Sequence, residues 1–265
     1  MTAYLSYAKD PRGVVTVTLN RPEKHNAFDD QFISDMRGAF ALAKTQQARV
    51  VVLNATGKNF SAGADLGWMK RMATCSREEN YTDALALAAL MHELDALPMP
   101  TLAVVRGAAY GGAVGLACCC DIVLASDTAR FCLSEARLGL APAAISPFVV
   151  RAMGMRQARR WFQTTEEIAA LTARELGIAH EVVADDQLEH QAEAMIARLL
   201  KNGPLAMQAC KTLIAATATL SGDEQQRYTS AAIADLRVSP EGQEGLQAFF
   251  DKRAPSWVID NGSAS

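Results

Sequence analysis

The chain lacks any run approaching about 18 uninterrupted apolar residues, so no transmembrane helix is expected. A basic tract is missing too. The 26 lysines and arginines are outnumbered by 29 aspartates and glutamates, and the net charge of −3 gives no electrostatic footing for nucleic acid or an anionic membrane. Residues 1–12 do not show the charged-then-apolar-then-small order of a secretory leader, and the cytoplasm is the expected compartment. No C-x-x-C pair occurs among the six cysteines (Cys75, Cys118, Cys119, Cys120, Cys132 and Cys210), three of which are consecutive. That spacing suits neither a disulfide framework nor a zinc site, so small reduced core residues and no metal are expected. The four histidines are scattered, with His180 read as lying at a helix exit. No low-complexity segment or fixed-period repeat is present.

What is there is ordinary globular material: 265 residues, 50% hydrophobic and 21% charged, enough for one large domain or a domain with a helical appendage. Residues 14–19 read as a strand, β-branched and bounded by Gly13 and Asn20-Arg21-Pro22. A helix follows over about 29–44, with Phe32, Ile33, Met36, Phe40 and Ala43 at helical spacing. Residues 49–54 form a short, nearly continuous apolar strand suited to burial on both faces. A long helix is predicted over 78–97, stopped by Pro98 and Pro100. Strands at 101–105 and 122–125 flank a small-residue helix at 112–119. This alternation argues an α/β fold with a parallel component. From Met153 the patterns near 156–162, 172–176, 187–200, 204–215, 223–236 and 241–252 are helical, with a break at Gly203-Pro204 and a disordered tail expected after Val258.

Two glycine-bearing loops stand out. Phe60-Ser61-Ala62-Gly63-Ala64-Asp65-Leu66 and Gly107-Ala108-Ala109-Tyr110-Gly111-Gly112-Ala113-Val114-Gly115 each follow a strand and lead into a helix. Missing side chains let a ligand approach the backbone, and the first N–H groups of a helix have no internal acceptor, so the second loop suits an anionic oxygen. A Gly-rich turn permitting close helix–strand packing fits equally well. The first loop adds the N–H of Ala64 as a second donor, with Asp65 placed to cap a helix starting near Leu66. Together they can aim two N–H groups at one developing oxyanion, with Glu135 lying 20 residues past the second loop. A dinucleotide site fits poorly, because Tyr110 replaces the first glycine of G-x-G-x-x-G and Glu135 follows a second strand and a loop.

These loops, with Cys120-Asp121-Ile122, Ser134-Glu135 and Leu138-Gly139-Leu140, resemble the crotonase (enoyl-CoA hydratase/isomerase) superfamily from about residue 12 to Trp257. An early Asn20-Arg21-Pro22…Asn26-Ala27 segment and a terminal Phe249-Phe250-Asp251-Lys252-Arg253-Ala254-Pro255 extend the likeness. The resemblance implies a ββα spiral core over 1–200, a C-terminal helical trimerisation region over 201–258, a tail at 259–265, and a homotrimer or dimer of trimers. It implies an acyl-CoA thioester as substrate, with coenzyme A belonging to the substrate and no separate cofactor, no nucleic acid and no membrane.

By position, the oxyanion hole would fall on the N–H groups of Ala64 and Gly112, and the acid/base on Glu135. Ala64, Asp65, Leu66 and Gly67 would contact the coenzyme A arm, Lys24 would approach its nucleotide end, and Lys252 would add a phosphate contact across a subunit boundary. Family hydratases commonly use two glutamates 20 residues apart; here the first falls on Gly115. One carboxylate resembles the enoyl-CoA isomerases. The text from Gly63 to Met72, the cysteine run, and Phe131 to Glu135 through Ala144-Ile145-Ser146-Pro147-Phe148 resemble bacterial methylglutaconyl-CoA hydratase-like members, in which glycine at that position is tolerated. Hydration of a branched enoyl-CoA is therefore the leading expectation and isomerisation the alternative; a noncatalytic acyl-CoA- or RNA-binding role is disfavoured by the retained Glu135 and the missing basic stripe. Lys70 and Arg71 are candidates to meet a distal carboxylate by proximity alone, and Asp121 is expected to serve the fold.

Overall fold

Apolar β-branched runs build the main sheet of the computed structural model, which describes residues 4–259. β1 (Leu5–Lys9) runs antiparallel to β2 (Val14–Leu19), and α1 (Asp30–Thr45) follows a short 3-10 turn, Pro22–Lys24. β3 (Val50–Ala55) leads to α2 (Leu66–Met72) and α3 (Arg77–Asp95). β4 (Thr101–Val105), β5 (Ala108–Tyr110) and α4 (Gly112–Cys119) come next, then β6 (Ile122–Ser126), β7 (Arg130–Cys132) and, after a 3-10 turn at Glu135–Leu138, α5 (Ser146–Thr164). β8 (Ile168–Ala169), α6 (Ala170–Glu175), β9 (Glu181–Val183) and α7 (Leu188–Leu200) complete the core. α8 (Pro204–Thr217), α9 (Gly222–Val238) and α10 (Pro240–Phe250) follow it.

The main sheet has the order β1-β2-β3-β4-β6-β9, parallel from β2 onward, with Val14 opposite Val50 and Leu102 opposite Ile122. Both faces are buried, which is why these strands read as continuous apolar runs. Val15, Val17, Val51, Leu53 and Ala103 point into the large core shared with α1 and α3, while Val14, Val50, Val52, Leu102 and Leu124 face Leu188, Ala192 and Ile196 of α7.

A second sheet, β5-β7-β8, is extended on one side by single bridges of Ser61 to Ala109 and Phe28 to Ala64. Successive turns of the chain thus add one strand to each sheet before a helix closes them, a ββα spiral followed by a helical region. Because the main-sheet strands are followed at once by second-sheet pairing, the loops after β3 and β4 are neighbours.

The sequence located β2, β4 and α4 at the residues observed and α1, β3, α3 and α7–α10 to within about two residues, whereas β1 was not read and α5, read near 156–162, begins at Ser146. The all-helical reading from Met153 onward is corrected: β8 and β9 lie inside that third, and β9 forms an edge of the main sheet beside β6. Strands of two or three residues held by backbone pairing carry too little periodicity to be read. The cysteine run is buried in and just after α4, as expected of core residues, and all six thiols are free, although Cys75 is only partly buried and Cys210 is exposed. Asp121 serves the fold: its Oδ2 accepts from the Thr101 N–H at 2.8 Å, the Thr101 hydroxyl at 2.9 Å and the Lys211 ammonium at 2.7 Å, tying α8 to the sheet. His180 lies past α6, its Nδ1 accepting from the Val123 N–H at 3.0 Å. The expected tail at 259–265 falls outside the described residues from 260 on. None of the helices among the described residues is long and apolar enough to cross a membrane.

Candidate active site

The second-sheet bridges bring the two glycine loops into contact. The Ser61 N–H donates to the Ala108 carbonyl at 2.9 Å and the Tyr110 N–H to the Ser61 carbonyl at 3.0 Å. Gly63, at φ +89°, lies so close that a Cβ on it would sit 3.0 Å from the Tyr110 carbonyl oxygen. On the other side the Phe28 N–H donates to the Gly63 carbonyl at 2.8 Å and the Asp65 N–H to the Phe28 carbonyl at 2.7 Å. These bonds use the amides on either side of Ala64 and leave the Ala64 N–H without an acceptor among the described residues. Gly111, at φ 54° and ψ −121°, spends its own N–H on the Cys132 carbonyl and turns the chain into α4, so that Gly112 opens the helix with its N–H equally unpaired. Phe28 packs so tightly here that a Cβ on Gly112 would lie 2.9 Å from its Cε2.

Glu135 begins the 3-10 turn after β7, and its Oε1 lies 3.3 Å from where a Cβ on Gly111 would stand. The carboxyl therefore sits one peptide from the Gly112 N–H. Its Oε2 is buried with no hydrogen-bond partner, and burial raises the pKa above the ordinary glutamate value, opposed in part by its own backbone N–H. An orphaned, desolvated carboxylate in contact with a Gly-lined turn is costly to keep, which makes Glu135 a candidate proton-transfer group.

Asp65 caps α2 as expected, with Oδ1 accepting from Gly67 N at 2.8 Å and Trp68 N at 3.1 Å; those two amides hold its pKa below the usual range. Leu66 and Gly67 are exposed at the rim. Lys24 is exposed on its 3-10 turn, which the Ala62 N–H joins to the first loop by donating to the His25 carbonyl at 2.9 Å. Arg71 is engaged by Asp30 at 2.6 Å, whereas Lys70 is exposed and forms no ion pair among the described residues. Lys252 lies beyond α10, on the helical appendage and not on either loop.

Gly115 is where the geometry is most decisive. It is buried in α4, and a Cβ there would meet Ile145 Cγ2 at 2.3 Å, Ile145 Cβ at 2.7 Å and Met91 Cε at 3.3 Å. The space a second carboxylate would need is filled by hydrocarbon. Sequence reasoning found the missing glutamate but not Ile145, which arrives from 30 residues downstream. It also missed Phe28, and the bond from the Trp68 indole to Asp83 Oδ1 (3.1 Å) that links α2 to α3. No cluster of three or more metal-ligating side chains occurs among the described residues.

Comparison with known proteins agrees with the fold. Residues 9–259 match the Enoyl-CoA hydratase/isomerase family, and the chain belongs to it. A crystal structure of an enoyl-CoA hydratase from Shewanella pealeana is 48% identical, with a TM-score of 0.92 over 96% of each chain. An enoyl-CoA hydratase of Alternaria alternata, ACTT6, is 36% identical over 89% of this chain and 78% of its own. A trans-2-decenoyl-[acyl-carrier-protein] isomerase of Streptococcus mutans is 30% identical over 93% and 95%.

Proposed function

We propose that this family member hydrates a 2-enoyl-CoA thioester, with Glu135 as its single side-chain acid/base and the Ala64 and Gly112 N–H groups as its oxyanion hole. The supporting observation is the pair of unpaired N–H groups on touching loops beside a buried, orphaned carboxyl. Glu135 takes a proton from water as the hydroxyl bonds to C3. The C2–C3 π electrons move onto the thioester oxygen, where the two N–H groups hold the developing charge. The proton then passes from Glu135 to C2, the carbonyl re-forms, and the carboxylate is regenerated. One such donor is worth about 2.7–4 kcal/mol of transition-state stabilisation. Burial suits the carboxyl to the work, since a pKa above the ordinary value lets it both accept and return a proton.

The substrate is a branched, methylglutaconyl-type acyl chain, and its distal carboxylate meets Lys70, an exposed cation just past the first loop that forms no ion pair among the described residues. The exposed surface from Ala64 to Gly67 receives the coenzyme A arm, with Lys24 toward its nucleotide end. The assembly is a homotrimer or dimer of trimers. α8 and α9 bury no residue within one chain and α10 buries only Ala248, while Ile214, Val238, Phe249 and Phe250 are exposed.

One observation favours a second reading. Ile145 occupies the place of a second, water-holding carboxylate, as suits an isomerase in which Glu135 takes a proton from C4 and returns one at C2. A panel of enoyl-CoA esters in deuterated water separates the two. Loss of the conjugated thioester absorbance with a 3-hydroxy product carrying deuterium at C2 supports hydration; a moved double bond without added water supports isomerisation. Glu135→Gln is expected to abolish either turnover and to leave acyl-CoA binding intact, and near-normal activity in that variant refutes the assignment.

A further inference from the structure

We propose that Arg137 is a positioning residue: by gripping Thr165 it fixes the turn that presents the Glu135 carboxyl to the two backbone N–H groups. The inference rests on Glu135 being the acid/base. The turn Glu135–Leu138 buries no residue of its own, and between Leu133 and Pro142 every residue is at least partly exposed. The turn's own side chains therefore supply little hydrophobic packing to set the carboxyl's position. Three backbone bonds shape the turn internally, from the amides of Arg137, Gly139 and Leu140 to the carbonyls of Ser134, Ala136 and Glu135 at 3.1–3.2 Å, but they do not attach it to anything else.

The attachment is the Arg137 guanidinium. Its Nε donates to the Thr165 hydroxyl at 2.9 Å and its terminal nitrogen to the Thr165 carbonyl at 2.5 Å. Thr165 is a fixed point. It is 5% exposed and sits in the left-handed region (φ 53°, ψ 24°) where α5 ends. Its carbonyl also accepts from the Cys132 thiol on β7 at 3.4 Å, and its hydroxyl donates to the Thr164 carbonyl at 2.7 Å. One residue thus joins the end of β7, the end of α5 and the turn bearing Glu135. A threonine kept at positive φ is strained, and such strain persists where surrounding bonds over-determine it.

Arg137 forms no ion pair with a carboxylate among the described residues, and Glu135 feels burial, not a neighbouring cation. The titratable or charged groups gathered around this point are Arg137 on the turn, Cys132 on β7, and Glu167, which accepts from the Tyr110 hydroxyl at 2.5 Å and lies 3.5 Å from Arg130. The guanidinium spends its hydrogen bonds on Thr165 and forms no ion pair with Glu135, so it can locate the base without neutralising it. A reacting group displaced by about 1 Å loses on the order of 10²-fold in rate.

The test compares Arg137→Met and Arg137→Lys with the unaltered enzyme on an enoyl-CoA that it turns over. Arg137→Met is expected to lower kcat about 10- to 100-fold with KM within about threefold, and Arg137→Lys to recover part of the loss, since one donor can still reach the Thr165 carbonyl. A loosened turn lets water reach the carboxyl, so the acid limb of the kcat profile moves to lower pH in Arg137→Met. Circular dichroism and acyl-CoA titration establish that the variant is folded and binds. An unchanged kcat, a loss carried by KM, or a lowered kcat with an unmoved acid limb each overturns the proposal. Inactivity of the unaltered enzyme on every enoyl thioester, or full activity of Glu135→Gln, would instead overturn the function on which it rests.

Discussion

Replacing Gly115 by alanine sets two effects of opposite sign against each other, and the structure decides between them. In a helix interior the exchange ordinarily stabilises by about 1 kcal/mol. Here the new methyl would lie 2.3 Å from Ile145 Cγ2 and 2.7 Å from its Cβ. Comfortable carbon contacts begin near about 3.5 Å, so Ile145 must retreat by about 1.2 Å. Met91 can swing its terminal methyl aside, but the Cβ of Ile145 is bonded to the backbone at the entry to α5 and is 2% exposed. Overpacking of this kind costs about 1–3 kcal/mol. The net expectation is a loss of up to about 2 kcal/mol, or a fall of up to about 8 °C in Tm for a chain this long. Ile145→Ala alone should cost about 2–5 kcal/mol by leaving a cavity. In the Gly115→Ala background it should cost about 0.5–3 kcal/mol less, because the added methyl fills part of that hole. Thermal unfolding of the four proteins closes the cycle. A raised Tm for Gly115→Ala with additive double-variant effects would refute the reasoning. The same geometry predicts that Gly115→Glu does not install a working second carboxylate.

Glu135 carries a pKa raised by burial, so the folded chain binds its proton more tightly than the unfolded one, and its contribution to stability falls as pH rises from the ordinary carboxyl value through the folded value. Glu135→Gln should therefore raise Tm at pH 8 and lose that advantage toward pH 4, as a calorimetric pH series would show. In turnover the base must be ionised, so kcat should drop as pH falls through that raised pKa, with an acid limb above the usual glutamate range; a limb at or below it would contradict the burial. Asp65→Ala removes the cap of α2 and should cost about 1 kcal/mol at pH 7. Because the Trp68 and Gly67 amides depress the Asp65 pKa, that contribution is present above the ordinary aspartate value and lost as pH falls through the folded one, so the Tm gap between the two proteins should narrow in acid. Light scattering of the intact protein should give three or six chains, and a monodisperse monomer would refute the assembly proposed for α8–α10.

The sequence was legible where periodicity or capping leaves a local trace. β2 and β4 showed as apolar runs because both faces of the main sheet are covered, and α2 could be anticipated because Asp65 stands where its Oδ1 meets the amides of Gly67 and Trp68. β5, β7, β8 and β9 were not legible, since two or three residues held by backbone bonds to distant strands leave no repeating pattern. The candidate oxyanion loops could be found from their glycines. Their contact could not, because it depends on the Ser61–Ala109 and Phe28–Ala64 bridges, which join segments 48 and 36 residues apart. Arg137 and Thr165 were equally silent, as a polar residue in an exposed turn looks like solvated surface until its partner is placed.

Gly115 shows how far a local reading can go before a distant residue takes over. As a sequence position it is only a missing glutamate, and glycine in that place leaves room for a water, a reshaped acyl chain or nothing. Ile145 removes that freedom. Its side chain fills the volume above Gly115 with hydrocarbon. Burial raises the pKa of Glu135, and on the proposed function that one group performs every proton transfer the reaction needs. Whether the proton it handles comes from water or from C4 then turns on whether the bound acyl chain leaves space for a water between C3 and the Glu135 oxygens. A chain branched at C3 and one with an accessible C4–H would fill that space differently, so under the proposed single-carboxyl mechanism the choice between hydration and isomerisation falls to the fit of the bound acyl chain.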